Sequence, residues 1–149
     1  MITCYFEKTK KPSCLRHVVV DMLVVKDRQI LLVKRSGKWL ETGKWALPGG
    51  FLDRDETCKQ AAIRETREET GYDAQVVKLF MVNDNPKRPN ELDRQNVSLV
   101  YLMKIIQRVS GFDEEISEIK WFGLDDLPPA KDMTFDHREM IKKYLNTFN

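Results

Sequence analysis

Three glutamates, Glu65, Glu68 and Glu69, are spaced by three and four residues. On an α-helix each residue advances about 100°, so offsets of three and four place all three carboxylates within an arc of roughly 100°. Like charges at that spacing repel by a few tenths of a kcal/mol per pair, and the adjacent Arg64 and Arg67 offset only part of it. A hard divalent cation removes the conflict. Mg²⁺ and Mn²⁺ take carboxylate oxygens and keep several waters, which leaves room for phosphate oxygens and a nucleophilic water. The plainer alternative is a solvated acidic face flanked by arginines. The flanking residues must position these acids. Pro48, Gly49 and Gly50 end the apolar run at Leu47 and allow a turn or a close backbone approach, so a loop is expected there. Thr57 followed by Gln60 is a capping-box pattern that starts a helix at Cys58, with Asp55 and Glu56 just outside it. Gly71 is the natural helix stop.

Gly50, Glu56 and the run Arg64-Glu65-Thr66-Arg67-Glu68-Glu69-Thr70-Gly71-Tyr72 stand at the spacing of a known motif. The stretch resembles the Nudix box of the MutT-type hydrolases, with each fixed glycine, acid and arginine in place. Thr66 departs from it, standing where the family usually has an aliphatic residue facing the core. The resemblance covers roughly residues 18–141. It implies metal-assisted hydrolysis of a nucleoside diphosphate derivative, NDP-X to NMP plus phospho-X. The ligands implied for Mg²⁺ or Mn²⁺ are Glu65, Glu68, Glu69 and the main-chain carbonyl of Gly49. Gly50, Glu56, Arg64 and Gly71 are implied to be structural, the arginine pairing with acids of the loop and helix. The general base implied is Glu65, or an acid from the cluster 111–118: Glu115 first, Glu118 second.

Outside the box the resemblance points to a substrate more weakly. Arg35, with Lys34, ends a strand near where substrate lies in such proteins. The segment NDNPKRPNELDRQ is similar to the proline- and arginine-containing loop of members acting on ADP-ribose, which makes Arg88 and Arg94 candidates for phosphate or ribose contacts. His137, in TFDHREMI, is similar to their closing segment and is expected to pack or to contact a dimer partner rather than to catalyse. ADP-ribose or a related dinucleotide is the expected substrate. The alternatives are an oxidised nucleoside triphosphate, a nucleotide sugar or a capped RNA end, and a non-catalytic domain that senses ADP-ribose. A two-fold homodimer is expected by analogy with the family.

The remaining chain supplies the frame. Its 149 residues, 42% hydrophobic and 32% charged, suit a single globular domain spanning 1–149, with no repeat or low-complexity tract to divide it. A net charge of +2 makes no electrostatic case for nucleic acid as the main partner. Cys4, Cys14 and Cys58 form neither a disulfide framework nor a zinc pattern, so a reducing cytoplasm is the default. No stretch approaches a signal peptide or the ~20 apolar residues of a membrane span. A nearly continuous apolar strand is expected over 15–25, its hairpin partner over 30–34, and a short strand over 45–47. Trp39 and Trp45 could stack on a substrate ring, but a core or rim position is the commoner use. Further strands are expected over 75–81, 97–106 and 119–122, with a long polar loop over 83–96 and a last helix over 135–148. The resulting class is α/β: an α/β/α sandwich with a mixed β-sheet between the box helix and the C-terminal helix.

Overall fold

The computed structural model describes residues 2–5, 8–38, 40–89 and 94–148. Trp39 and the loop charges Glu91 and Asp93 lie outside them. Strands β1 (Ile2–Tyr5) and β2 (Pro12–Leu15) form a small antiparallel sheet of their own, so the apolar strand expected from residue 15 begins later, as β3 (Val18–Lys26). Arg16 intervenes: its guanidinium donates to the carbonyls of Asp84, Gln95 and Asn96 and so fastens both ends of the long loop to the start of β3.

The main sheet has seven strands. β3 lies parallel to β8 (Val97–Arg108) at its centre, and the outer β7 (Tyr72–Asn83) runs antiparallel to β8. On the other side β4 (Gln29–Arg35) meets β3 only at the hairpin end, through Val25 with Ile30 and Lys26 with Gln29. Beyond that the two strands part. β3 takes β6 (Gly49–Phe51) as its neighbour, while β4 takes β5 (Trp45–Ala46) and β9 (Ile116–Gly123). The expected glycine loop is therefore a strand, and the parting of β3 from β4 opens the sheet where the site lies.

Glycine is required at Gly49 and Gly50 by crowding. A Cβ on Gly49 would overlap the main-chain oxygen of Val20, and one on Gly50 would overlap the Glu65 carboxylate. Helix α1 (Cys58–Thr70) starts and stops as expected: Thr57 accepts from the Gln60 amide, Gln60 accepts from the Thr57 amide, and Gly71 closes the helix at φ 70°. Thr66 is fully buried, and its hydroxyl donates to the Ala62 carbonyl at 2.7 Å, so the departure from an aliphatic residue leaves no unpaired polar group.

Two apolar layers pin the helices. Ala61 and Ala62 of α1 pack on Val20, Met22 and Val24 of one face. Met140, Ile141 and Tyr144 of α2 (His137–Leu145) pack with Leu23, Ile30 and Leu32 on the other. The α/β/α sandwich with a mixed sheet is thus what forms. The last helix is shorter than expected: it begins at His137 and gives way to a 3₁₀ turn over Asn146–Phe148. Phe135 stands outside it at φ 45°.

Candidate active site

A cavity of about 320 Å³ is lined by Glu65, Glu68 and Glu69 of α1 and also by Arg35, Arg88, Arg94 and Phe135. Arg64 organises the acids. Its Nη1 donates to Glu65 at 2.8 Å and to Glu68 at 3.0 Å, and its Nη2 donates to Glu56 at 2.7 Å and to the Phe51 carbonyl at 3.1 Å. Glu56 also accepts from the Asp53 amide, and the arginine holds its pKa below the usual carboxylate range. The structural roles expected of Glu56 and Arg64 are consistent with this arrangement. Arg67 turns away to Asp73.

Glu69 is buried and accepts from the Gly49 amide at 2.8 Å. Burial raises its pKa well above the ordinary value, with only partial relief from that hydrogen bond. Glu65 is pushed up to about 6, by burial first and further by Glu68 and Glu115, against the pull of Arg64. Among the described residues no group of three or more His, Cys, Asp or Glu side chains is gathered in the manner of metal ligands. Arg64 is the counter-charge of Glu65 and Glu68, and the neutral Gly49 amide donates to Glu69. The donor set is nevertheless that of a hard dication: crowded acids, two driven toward protonation, beside a glycine main chain that comes close only because it lacks side chains.

Glu115 lines the cavity from the turn before β9. Its carbonyl accepts from the Ser36 amide at 2.8 Å and its own amide donates to Asp113 at 3.1 Å. Glu118 does not line this cavity: it lies on β9, 3.7 Å from Lys34. Lys34 sits over the Trp45 ring, and Trp45 packs edge-on against Phe122, so both belong to the other face of β4 and Trp45 takes the core role. Arg35 and Arg94 line the cavity, Arg35 being steadied by the Leu40 carbonyl at 3.0 Å. Arg88 is only 1% exposed and is ion-paired with Asp136 at 2.9 Å, which is not the solvated loop position its neighbours in sequence suggest.

Several cavity residues were not singled out from the sequence, among them Asp113, Asp21 and Phe135. Asp113 lines the cavity beside Glu115, its carboxyl raised by burial. Asp21 is buried in the middle of β3, accepting from Ser98 and lying 3.4 Å from His137 Nε2. A lone acid inside the run VVVDMLVV was the signal for it. Phe135 carried no such signal. His137 is buried as expected of a packing residue, but it is also polar in use. Its Nδ1 accepts from the Leu47 amide at 2.9 Å, which leaves the proton on Nε2, toward Asp21. Burial lowers its pKa, against the opposing pull of Asp21 and Asp136, which favours the neutral ring.

A helix whose acids share a cavity with several arginines suits an enzyme acting on phosphorus anhydrides. The chain belongs to the NUDIX domain family, whose profile matches residues 15–144, and it is a Nudix hydrolase. It is 35% identical over 132 residues to an ADP-ribose pyrophosphatase of Methanocaldococcus jannaschii, covering 89% of this chain and 75% of that one. Its fold matches a NUDIX hydrolase from Nitrosomonas europaea with a TM-score of 0.78 at 26% identity, covering 95% of this chain and 77% of the other. A UDP-X diphosphatase matches with a TM-score of 0.76 at 26% identity, over 95% and 68%. Nudix hydrolases generally use divalent metal ions.

Proposed function

We propose that the protein hydrolyses the diphosphate linkage of a nucleoside diphosphate derivative, NDP-X to NMP plus phospho-X, with Mg²⁺ or Mn²⁺ and with ADP-ribose or a related dinucleotide as substrate. The observation that carries this is a cavity lined by three acids of one helix and by Arg35 and Arg94. Such a cavity suits a dianionic bridge flanked by two larger groups. The likeness to an ADP-ribose pyrophosphatase supports the choice of substrate.

Glu65, Glu68, Glu69 and the Gly49 carbonyl would hold the ion, which when bound neutralises the diphosphate and acidifies water. Arg64 meets Glu65 through Oε1 and Glu68 through Oε2, so the other oxygen of each would be available to the ion while Arg64 keeps Glu56 as a further partner. Glu115, on the cavity side of its turn and close enough to Glu65 to raise its pKa, takes the proton of the attacking water; Glu65 is the other acid able to do so. Arg35 and Arg94 orient the phosphates, since a guanidinium fork matches two phosphate oxygens. A nucleotide sugar is the second reading, favoured by the likeness to a UDP-X diphosphatase.

The test is a panel of nucleoside diphosphate derivatives incubated with Mg²⁺ or Mn²⁺, with the products separated. Release of AMP from ADP-ribose is the expected result, and release of UMP from UDP-sugars alone selects the second reading. Binding of ADP-ribose with no monophosphate formed from any compound would refute both.

A further inference from the structure

We infer that Arg88 is a positioning residue: a buried clamp that, through Asp136, sets the ring of Phe135 into the substrate cavity. Its guanidinium is almost wholly buried although it sits in a polar loop. Nε donates to Asp136 Oδ1 at 3.0 Å, and Nη2 lies 2.9 Å from the same oxygen and 3.9 Å from Asp21. The other oxygen of Asp136 accepts from Asn83 at 2.6 Å, at the end of β7. Asp136 is therefore gripped by two separate segments.

The residues before and after are held as well. The Thr134 amide donates to the Trp45 carbonyl at 2.9 Å, and the Thr134 hydroxyl lies 3.2 Å from His137 Nδ1. His137 is tied to Leu47 and faces Asp21. Between these anchors Phe135 adopts φ 45°, a left-handed conformation that is rare for a bulky side chain and persists only where the surroundings over-determine it. The outcome is that the ring lines the cavity, with the guanidinium carbons of Arg35 and Arg88 each 5.9 Å from its centre. Arg88 already answers two carboxylates in a dry setting, so its charge is committed to the protein. Arg35 and Arg94 are the cavity arginines left to meet phosphate. Phe135 offers an apolar face to the group beyond the diphosphate, and Arg88 governs binding by keeping that face in place.

The kinetic arm of the test rests on the proposed function; a structural arm does not. R88M and D136N are each expected to raise KM about tenfold, with kcat within about twofold of wild type, and F135A to do the same. The double variant R88M/F135A should be no worse than the weaker single, because the two residues act as one unit. In D136N and R88M the nuclear Overhauser contact between the Phe135 ring and the Arg35 side chain should vanish. Were Arg88 a phosphate ligand instead, D136N would leave KM unchanged or lower it, and the effects of R88M and F135A would multiply. Either result overturns the inference. Should R88M not fold, D136N decides alone, since it keeps the arginine and an acceptor for Asn83. If the wild type cleaves no nucleoside diphosphate, the proposed function fails by itself. In that case the ring contact still decides: its loss in D136N supports the clamp and its retention overturns it.

Discussion

Glu69 combines two properties that ordinarily conflict, since it is 5% exposed and yet acidic. The Gly49 amide donates to it, but a neutral donor only partly offsets the loss of water. Glu69→Gln keeps an oxygen for that amide and removes the buried charge. We expect the variant to melt no lower than wild type in EDTA and to turn over at least about tenfold more slowly, a factor set by the loss of one ligand charge. Wild-type turnover in Glu69→Gln would remove the residue from the metal site. Glu65 gives a pH signature. Its carboxyl rises from 4.5 to about 6 on folding, so the folded state favours the proton. The stability it contributes is complete below pH 4.5 and is lost as pH climbs through about 6. Melting temperature in EDTA should therefore carry a falling component across that window. Glu65→Gln should flatten it, and an undiminished fall in the variant would assign it to other groups.

The elements that carry these side chains rely on two adjacent glycines for different reasons. Gly49 faces the rigid main chain of β3 at Val20, whereas Gly50 faces the end of a side chain, Glu65. Backbone cannot step aside, but a carboxylate can. Gly49→Ala should accordingly cost more than about 2 kcal/mol in chemical denaturation, the range of overpacking in a close-packed interior. Gly50→Ala should cost under about 1 kcal/mol, the scale of a displaced partly buried side chain, while depressing turnover because Glu65 must leave its place. Equal stability losses in the two would show that β6 is not held as tightly as the geometry implies. The helix behind them needs no such crowding, for its capping box and the left-handed Gly71 set both ends locally.

Over the whole molecule, the parting of β3 from β4 lets β6 in, and the cleft there is lined by the α1 acids together with Arg35, Arg88 and Arg94. Among the described residues no helix is long and apolar enough to cross a membrane. An ion bound in this cleft stabilises only the folded chain. Mn²⁺ at about one hundred times its dissociation constant should therefore raise unfolding free energy by about 2.7 kcal/mol. That gain, read by thermal or denaturant unfolding, should disappear in Glu68→Gln and Glu69→Gln together. Its persistence would place the ion elsewhere.

What the sequence by itself determined is local. The α1 boundaries at Cys58 and Gly71 and the shared stripe of Glu65, Glu68 and Glu69 follow from turn geometry within one short segment, while the pairing of Arg64 with nearby acids came only from the motif's resemblance. The sandwich followed from apolar periodicity, with strand ends misjudged by a few residues where hydrogen bonding continued into polar positions, as in β7 and β8. Tertiary structure alone decided the rest. Arg88 reads as a loop cation for phosphate or ribose until Asp136 and Asp21 are brought against it from distant parts of the chain. Phe135 looks like the first turn of a helix until its neighbours are tied to Trp45 of β5, to Leu47 beyond it and to Asn83 of β7. Asp21 looks out of place in an apolar strand until Ser98 and His137 meet it. A buried charge is tolerated only with partners, and those partners lie tens of residues away in sequence, where no local pattern reaches.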